Sequence, residues 1–330
     1  MASPVKKITV VIPNWNGLDH LGKCLDALRA QTFGDFAVIV VDNGSEDDSV
    51  AFIRKNYPEV DIIETGSNQG FGAACNAGIT ASNSPSIALL NNDTVADPDW
   101  LGELAAAMDN APESVTMLAS KMVQMQDNAV IDDAGDILTW RGGTFKRGHG
   151  QPASDFDRQI EVFSPCAGAA LYRKDALISA GLFDESFFLY LEDIDLGLRM
   201  RLNGGSCRYI PSAIVQHIGH GSSFPHDRYV FFIARNRPTL FMKNFPMSVL
   251  ARHIHSLIYG WFFYYLAYNR PGPYIRGTLA AIKNLPSSIK KRQTAQPRLS
   301  KKEMHSLLSN DWPEISLLQL IRNRLKAFSL

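Results

Sequence analysis

The sequence predicts an α/β protein, a mainly parallel sheet flanked by helices, with a helical extension at its carboxyl end. Three observations point there. Short apolar or β-branched runs alternate with amphipathic stretches up to about residue 110, at the pitch of right-handed βαβ units. Each of the first four runs ends in polar or glycine residues, the place where open α/β sheets bind ligands. After Ser222 the pattern changes to long aromatic and basic stretches.

Ile8 to Ile12 is a β-branched run stopped by Pro13, and Asn14-Trp15-Asn16-Gly17 follows it. Leu21, Leu25 and Leu28 then mark one face of a helix from about Leu18 to Gln31. Ala37 to Val41 is the second strand; it ends in Asp42-Asn43-Gly44-Ser45, and Asp47 or Asp48 opens a helix through about Asn56. Asp61 to Glu64 is the third strand. It leads into Gly66-Ser67-Asn68-Gln69-Gly70-Phe71-Gly72 and a helix, Ala73 to Ala81, whose small residues suit close packing on the sheet. The fourth strand, Ile87 to Leu90, stops at Asn91-Asn92-Asp93, ahead of a helix over Trp100 to Met108.

Those four polar ends describe a nucleotide-sized site along one rim. Asp93 could hold a hard divalent cation of the kind that shares its shell with phosphates. The same Asn-Asn-Asp would also serve as a turn capping the next helix. Neither GxGxxG at the first turn nor GxxxxGK[ST] occurs, which disfavours ordinary dinucleotide enzymes and P-loop ATPases.

Further along, Val115 to Val123 and Ala167 to Arg173 read as strands on either side of a loop-rich segment, Gln124 to Pro165. Lys174 to Gly181 reads as a helix stopped by glycine. Aromatics between Phe183 and Tyr190 lead into Glu192, Asp193 and Asp195, which open a helix to about Asn203. Acids in a first helical turn are favoured by the dipole alone, and Asp195 with Arg199 is an ordinary i,i+4 pair. Glu192-Asp193 after an apolar run is nonetheless an unusual place for solvated charge, and a carboxylate there could act as a general base. Cys207 to Ile210 and Ala213 to Gln216 look like the last strands, followed by His217-Ile218-Gly219-His220-Gly221. A lone histidine is commonly structural; His217, directly after a strand, could also join Asp93 on a metal.

The remaining residues, 226–330, form a separate region after a first domain of residues 1–225. Tyr229 to Phe245 reads as a helix carrying Arg235, Asn236 and Arg237 and broken at Pro238. Val249 to Tyr268 is aromatic and apolar, but Arg252, His253 and His255 leave its clean core too short to span a bilayer. It suits either the headgroup zone of a membrane or a buried face against the first domain or a second subunit, as in a homo-oligomer. Lys283 to Lys302 reads as a linker and Trp312 to Phe328 as a short amphipathic helix.

Formal net charge is zero, yet twelve Lys/Arg face three Asp/Glu from Arg270 onward, against twenty-one and thirty before it. A mildly acidic body with a basic tail suggests an anionic membrane surface as partner. Nucleic acid is disfavoured, since no recognition motif accompanies the charge. Cys24, Cys75, Cys166 and Cys207 form no CxxC pair and fit reduced thiols in a cytoplasmic protein, and no signal peptide is evident.

Val10-Val11-Ile12-Pro13-Asn14-Trp15-Asn16-Gly17, Val40-Val41-Asp42-Asn43-Gly44-Ser45, Asn68-Gln69-Gly70-Phe71, Leu90-Asn91-Asn92-Asp93, Phe188 to Asp195 and Val215-Gln216-His217 together resemble the inverting family-2 glycosyltransferases of GT-A fold. Within that family the chain looks most like bacterial enzymes that move L-rhamnose from dTDP-rhamnose in cell-surface polysaccharide synthesis, O-antigen or cell wall. The resemblance implies that Pro13, Asn14, Asn16, Asp42, Asn68, Gly70, Phe71, Asn91 and Asn92 bind the nucleotide-sugar. It implies that Asp93 and His217 hold Mg²⁺ or Mn²⁺, and that Asp193 is the base with Glu192 beside it. Asn91 stands where the family commonly has a carboxylate, which leaves less negative charge for a metal. The donor would be a dTDP- or UDP-sugar, with UDP-hexose and UDP-galactofuranose as alternatives. The acceptor would be a saccharide or lipid-linked saccharide at the inner face of the cell membrane. Two rivals share the plan. A nucleotidyltransferase would want a cation in its first loop, which Asn14-Trp15-Asn16-Gly17 lacks. A non-catalytic sugar-nucleotide or glycan-binding scaffold would not need Asp93, Asp193 and His217 intact.

Overall fold

The computed structural model of the chain describes residues 5–219, 225–294 and 297–328. They divide into two compact units, residues 1–136 with 146–222, and residues 137–145 with 223–330. His220, Gly221 and the change of organisation after Ser222 lie outside the described residues.

The first unit begins β1 (Ile8–Asn14), α1 (Leu18–Arg29), β2 (Phe36–Asp42), α2 (Ser49–Asn56), β3 (Asp61–Glu64), α3 (Phe71–Ala81) and β4 (Ser86–Leu90). These strands pair in parallel in the order β4-β1-β2-β3. The alternation of β1 explains the layering. Ile8, Val10 and Ile12 pack with Leu21, Leu25 and Leu28 of α1, whereas Val11 packs with Ala74, Cys75 and Ile79 of α3. A strand buried on both faces needs such an unbroken apolar run.

β5 (Thr94–Ala96), α4 (Trp100–Asp109), β6 (Val115–Gln124) and β7 (Asp127–Asp133) follow; β8 (Asp136–Leu138), paired with β9 (Thr144–Lys146), comes next in the chain, with most of its residues assigned to the second unit. β10 (Ile160–Val162), β11 (Ala169–Arg173), α5 (Lys174–Ser179), α6 (Glu192–Leu202) and β12 (Ser206–His217) complete the unit. The sheet continues from β4 through antiparallel β11 and β6 to β12 and β10, with β12 parallel to β6. The sheet is thus mixed, with helices on its faces.

Two expectations change here. The segment from Gln124 to Pro165 contains four strands, β7 to β10: β7 pairs with the preceding β6, β8 with β9, and β10 with the distant β12. The two last strands are one, β12, with a register shift between Ile210 and Ile214 that absorbs Pro211.

The second unit contains α7 (His226–Asn244), α8 (Met247–Tyr268), α9 (Pro271–Lys283), α10 (Leu285–Thr294), α11 (Lys301–Leu307) and α12 (Leu317–Phe328). Pro238 lies inside α7 without breaking it; buried Leu240 and Phe241 hold the last turns in place despite the lost hydrogen bond. The expected linker is largely helix, α9 running into α10 and then α11, although residues 295–296 within it are outside the description. Trp140 anchors this unit, stacked on His253 at 3.7 Å and donating through Nε1 to the His305 carbonyl. Among the described residues no helix is long and apolar enough to cross a membrane.

Candidate active site

The carboxyl ends of β1, β2 and β4 meet through one buried amide. Asn14 Nδ2 donates to Asp42 Oδ1 and to Ser45 Oγ, both at 3.3 Å, and its Oδ1 accepts from Asn92 Nδ2 at 2.8 Å. Asn14 therefore orients Asp42 and Asn92 from a neighbouring strand. Gly17 makes room for this contact, since a Cβ there would stand 2.0 Å from Asn92 Nδ2. Half-buried Pro13 ends the apolar run, and exposed Asn16 accepts the Glu46 N–H at 2.7 Å.

A second group folds the loop before α3. Asn43 Nδ2 donates to Asn68 Oδ1 at 3.2 Å and to the Gly70 carbonyl at 3.1 Å, while its Oδ1 accepts the Gln69 N–H. Gly70 has φ of 94° and lies so close to Phe188 that a Cβ would be 2.4 Å from that carbonyl. The neighbouring Phe71 N–H donates to the same Phe188 oxygen at 2.9 Å. The loop holding Asn68, Gly70 and Phe71 is thereby tied to the segment that precedes Glu192 and Asp193.

That segment is strained. Phe188, Tyr190 and Leu191 all have positive φ, between 62° and 69°, at a cost of order 1–3 kcal/mol each. The strain aims α6 so that its first residues point into the unit. Asp193 Oδ1 accepts the Ile194 N–H at 2.8 Å and Oδ2 the Ala167 N–H at 3.5 Å. Burial raises its pKa, while those N–H groups and Lys146 oppose the rise. Glu192 is buried and its Oε2 has no hydrogen-bond partner; burial and the neighbouring Asp193 charge push its pKa up to about 8. The two adjacent acids therefore differ: backbone N–H groups support charge on Asp193, whereas burial and the neighbouring Asp193 charge push Glu192 toward its neutral form. Asp195 pairs with Arg199 at 2.9 Å within its own helix.

β5 pairs antiparallel with β12, setting Thr94 opposite His217, and this brings Asp93 beside the histidine. His217 Nε2 is 3.4 Å from Asp93 Oδ2, and Nδ1 is 2.8 Å from Asp132 Oδ2. Lys146 Nζ reaches the same Asp132 oxygen at 2.8 Å. Burial alone would lower the His217 pKa, but hydrogen bonds and charge from Asp132 and Asp93 raise it to about 9. Burial alone would raise Asp93, yet His217 holds it below the ordinary carboxylate range.

Asn91 and Asn92 part company with Asp93. Asn92 turns to Asn14, while the Asn91 N–H donates to Gly168 O at 2.9 Å and its side chain lies against Gly168. Ala167, next to Gly168, holds Asp193. The rim is thus continuous from Asp42 through Asn14 and Asn92, and from Asn91 through Ala167 to Asp193; Lys146, paired with Asp132, also acts on Asp193 by charge.

Asn43, Ser45, Asp132 and Lys146 were not among the residues singled out from sequence. Their signal was weak: Asn43 and Ser45 read as turn residues, and Asp132-Asp133 sits in the loop-rich segment. Only the carboxylates flanked by Val130-Ile131 and Ala134 hinted at buried charge.

Among the described residues no group of three or more His, Cys, Asp and Glu side chains is gathered to hold a metal ion. Asp93 and His217 nonetheless fit two positions on one ion. Asp93 Oδ1 is buried without a hydrogen-bond partner. Asp132 behind Nδ1 is the usual support for a liganding imidazole. A separate recess of about 410 Å³, lined by Val115, Gln159, Ser206 and Arg208 among others, lies where β6 and β12 begin. That is the opposite end of these strands from Gln124 and His217, so it is no part of this rim.

The fold has solved counterparts. Staphylococcus aureus TarS 1-349 in complex with UDP-GlcNAc superimposes with a TM-score of 0.54 at 18% identity, over 87% of this chain and 83% of that one. The mannosyltransferase PcManGT of Pyrobaculum calidifontis, with GDP-Man and Mn²⁺, gives 0.53 at 14% identity, over 99% and 88%. This is the GT-A glycosyltransferase fold, with a helical carboxyl-terminal part. The model described as glycosyl transferase family 2 matches residues 9–180, over half of the chain, and the chain belongs to that family. It is a glycosyltransferase that draws on a nucleotide-sugar donor. A relative in Mycobacterium tuberculosis, N-acetylglucosaminyl-diphospho-decaprenol L-rhamnosyltransferase, is 26% identical over 64% of this chain and 75% of its own length. A PGL/p-HBAD biosynthesis glycosyltransferase of Mycobacterium bovis is 26% identical over 60% and 70%.

Proposed function

We propose that the chain moves L-rhamnose from dTDP-rhamnose to a hydroxyl of a lipid-linked saccharide, with inversion at the anomeric carbon and with a divalent cation. The similarity to the mycobacterial L-rhamnosyltransferase, spanning 64% of the chain, carries the choice of sugar and acceptor class. Asp42, Asn14 and Asn92 would flank the nucleoside and ribose, with Asn68, Gly70 and Phe71 across from them. Asp93 and His217 would hold Mg²⁺ or Mn²⁺, and the Mn²⁺ bound to PcManGT and to GalNAc-T7 supports a divalent ion in this fold. When bound, the cation would offset the charge that develops on the departing diphosphate.

The protein's own groups do the rest. Asp193, held by the Ile194 and Ala167 N–H groups, takes the proton of the acceptor hydroxyl as that oxygen attacks. Burial raises its pKa, which strengthens it as a base. One in-line displacement inverts the centre, so no enzyme nucleophile is required. Glu192 keeps its proton and spares Asp193 a second negative neighbour.

The test is transfer from a panel of dTDP-rhamnose, UDP-hexoses and UDP-galactofuranose to a polyprenyl-diphosphate saccharide, with Mn²⁺, Mg²⁺ or EDTA. Rhamnosyl transfer abolished by EDTA is expected. Turnover with a UDP-hexose alone would overturn the choice of sugar, and undiminished turnover in EDTA the metal. Asp193→Asn should cut transfer by about 10²–10⁴-fold while donor still raises the melting temperature. Near-normal transfer by that variant would refute the base.

A further inference from the structure

We propose that one face of the second unit, formed by α8 and α9, docks on an anionic lipid bilayer, lying in its headgroup zone. The two helices are joined side by side: Trp261 Nε1 donates to Thr278 Oγ1 at 3.2 Å, and Tyr274 Oη to the Trp261 carbonyl at 2.8 Å. Their inner faces are filled. Gly260, Phe263 and Tyr264 of α8 and Tyr274, Gly277 and Ala281 of α9 are buried. Their outer faces are apolar and bare: Ile258 is 59% exposed, Leu279 59% and Ile282 60%, with Trp261, Phe262 and Ile275 also open. A run of large apolar side chains on two adjoining helices is unlike the scattered exposure a soluble surface ordinarily carries.

Charge selects the occupant. From Met247 to Thr294 the chain has seven Lys/Arg and no Asp or Glu. Exposed Arg276 follows Ile275 and exposed Lys283 follows Ile282, so cations border the apolar stripe. A second copy of the chain would bring the same cations against themselves, whereas anionic headgroups complement them. With no helix among the described residues able to cross a membrane, the face would lie in the plane of the interface, apolar side chains down and cations at the phosphates.

The experiment uses the full chain without donor or acceptor, so its outcome is independent of the sugar assignment. Binding is measured by co-sedimentation with vesicles of phosphatidylcholine alone and of phosphatidylcholine with phosphatidylglycerol. Expected is binding to the anionic vesicles, weakened by salt and weaker on neutral ones. Ile258→Glu with Leu279→Glu, and separately Arg276→Gln with Lys283→Gln, should each lower partitioning roughly tenfold or more. Circular dichroism melts matching wild type would show that these exposed variants remain folded. Absent binding to anionic vesicles, or variants that bind like wild type, would overturn the proposal. So would light scattering that finds a dimer dissolved by Ile258→Glu with Leu279→Glu, since a second copy would then own the face.

Discussion

Replacing Glu192 by glutamine is expected to stabilise the protein, and to do so increasingly as pH rises. The carboxyl is buried, its Oε2 is unpartnered, and its pKa is carried from 4.5 to about 8 by burial and the Asp193 charge. Between those values the folded state keeps a proton that the unfolded state has lost. The unfolded chain binds fewer protons, so stability falls as pH rises through this window. Keeping the carboxyl there costs the fold about 3 kcal/mol at pH 7 and up to about 5 above pH 8. Glutamine has nearly the same shape and nothing to ionise. For a unit of roughly two hundred residues, where each kcal/mol moves the midpoint by about 2–4 °C, the gain at pH 7 is about 6–12 °C. Thermal melts of both proteins from pH 5 to pH 8, without donor, check this. The curves should nearly coincide at pH 5 and diverge upward. Melting temperatures that run parallel across the range would refute the reasoning, because they would mean that Glu192 is ionised in the fold at little cost.

Other outcomes follow from the same geometry. Asp132→Asn should weaken Mn²⁺-dependent donor binding about 10–100-fold, read by titration calorimetry, since His217 Nδ1 loses the carboxylate that orients it. Asp93→Ala should abolish the dependence of donor binding on metal, measured in the same titration. Gly17→Ala would drive a methyl into Asn92 and Asn14; donor affinity should fall while the far-UV spectrum stays native. Trp140→Ala should cost the second unit about 3–5 kcal/mol in a urea titration, because its stacking on His253 and its bond to His305 both vanish.

Much of the rim was legible in the amino-acid sequence. Parallel βαβ units bring successive strand ends to one edge, so Asn14, Asp42 and Asn91 to Asp93 had to be neighbours once those strands were recognised. The pairing of Asp93 with His217 was legible only as a suggestion, because it depends on β5 and β12, which are separated by more than a hundred residues. Glu192 and Asp193 look alike in sequence and differ in the fold: Asp193 accepts the Ile194 and Ala167 N–H groups, whereas Glu192 leaves its Oε2 without a hydrogen-bond partner.

By itself the amino-acid sequence determined the alternation of strands and helices, the polar stops at strand ends and the basic, acid-free stretch from Met247 to Thr294. These are local properties of periodicity and charge, and they need no partner to be read. Tertiary structure alone decided that Asn14 bridges Asp42 and Asn92, that Asp132 and Lys146 stand behind His217, and that residues 137–145 belong with the second unit. Each of those relations joins residues far apart in the chain. Which distant side chains meet is set by the register and packing of the sheet, not by their order along it.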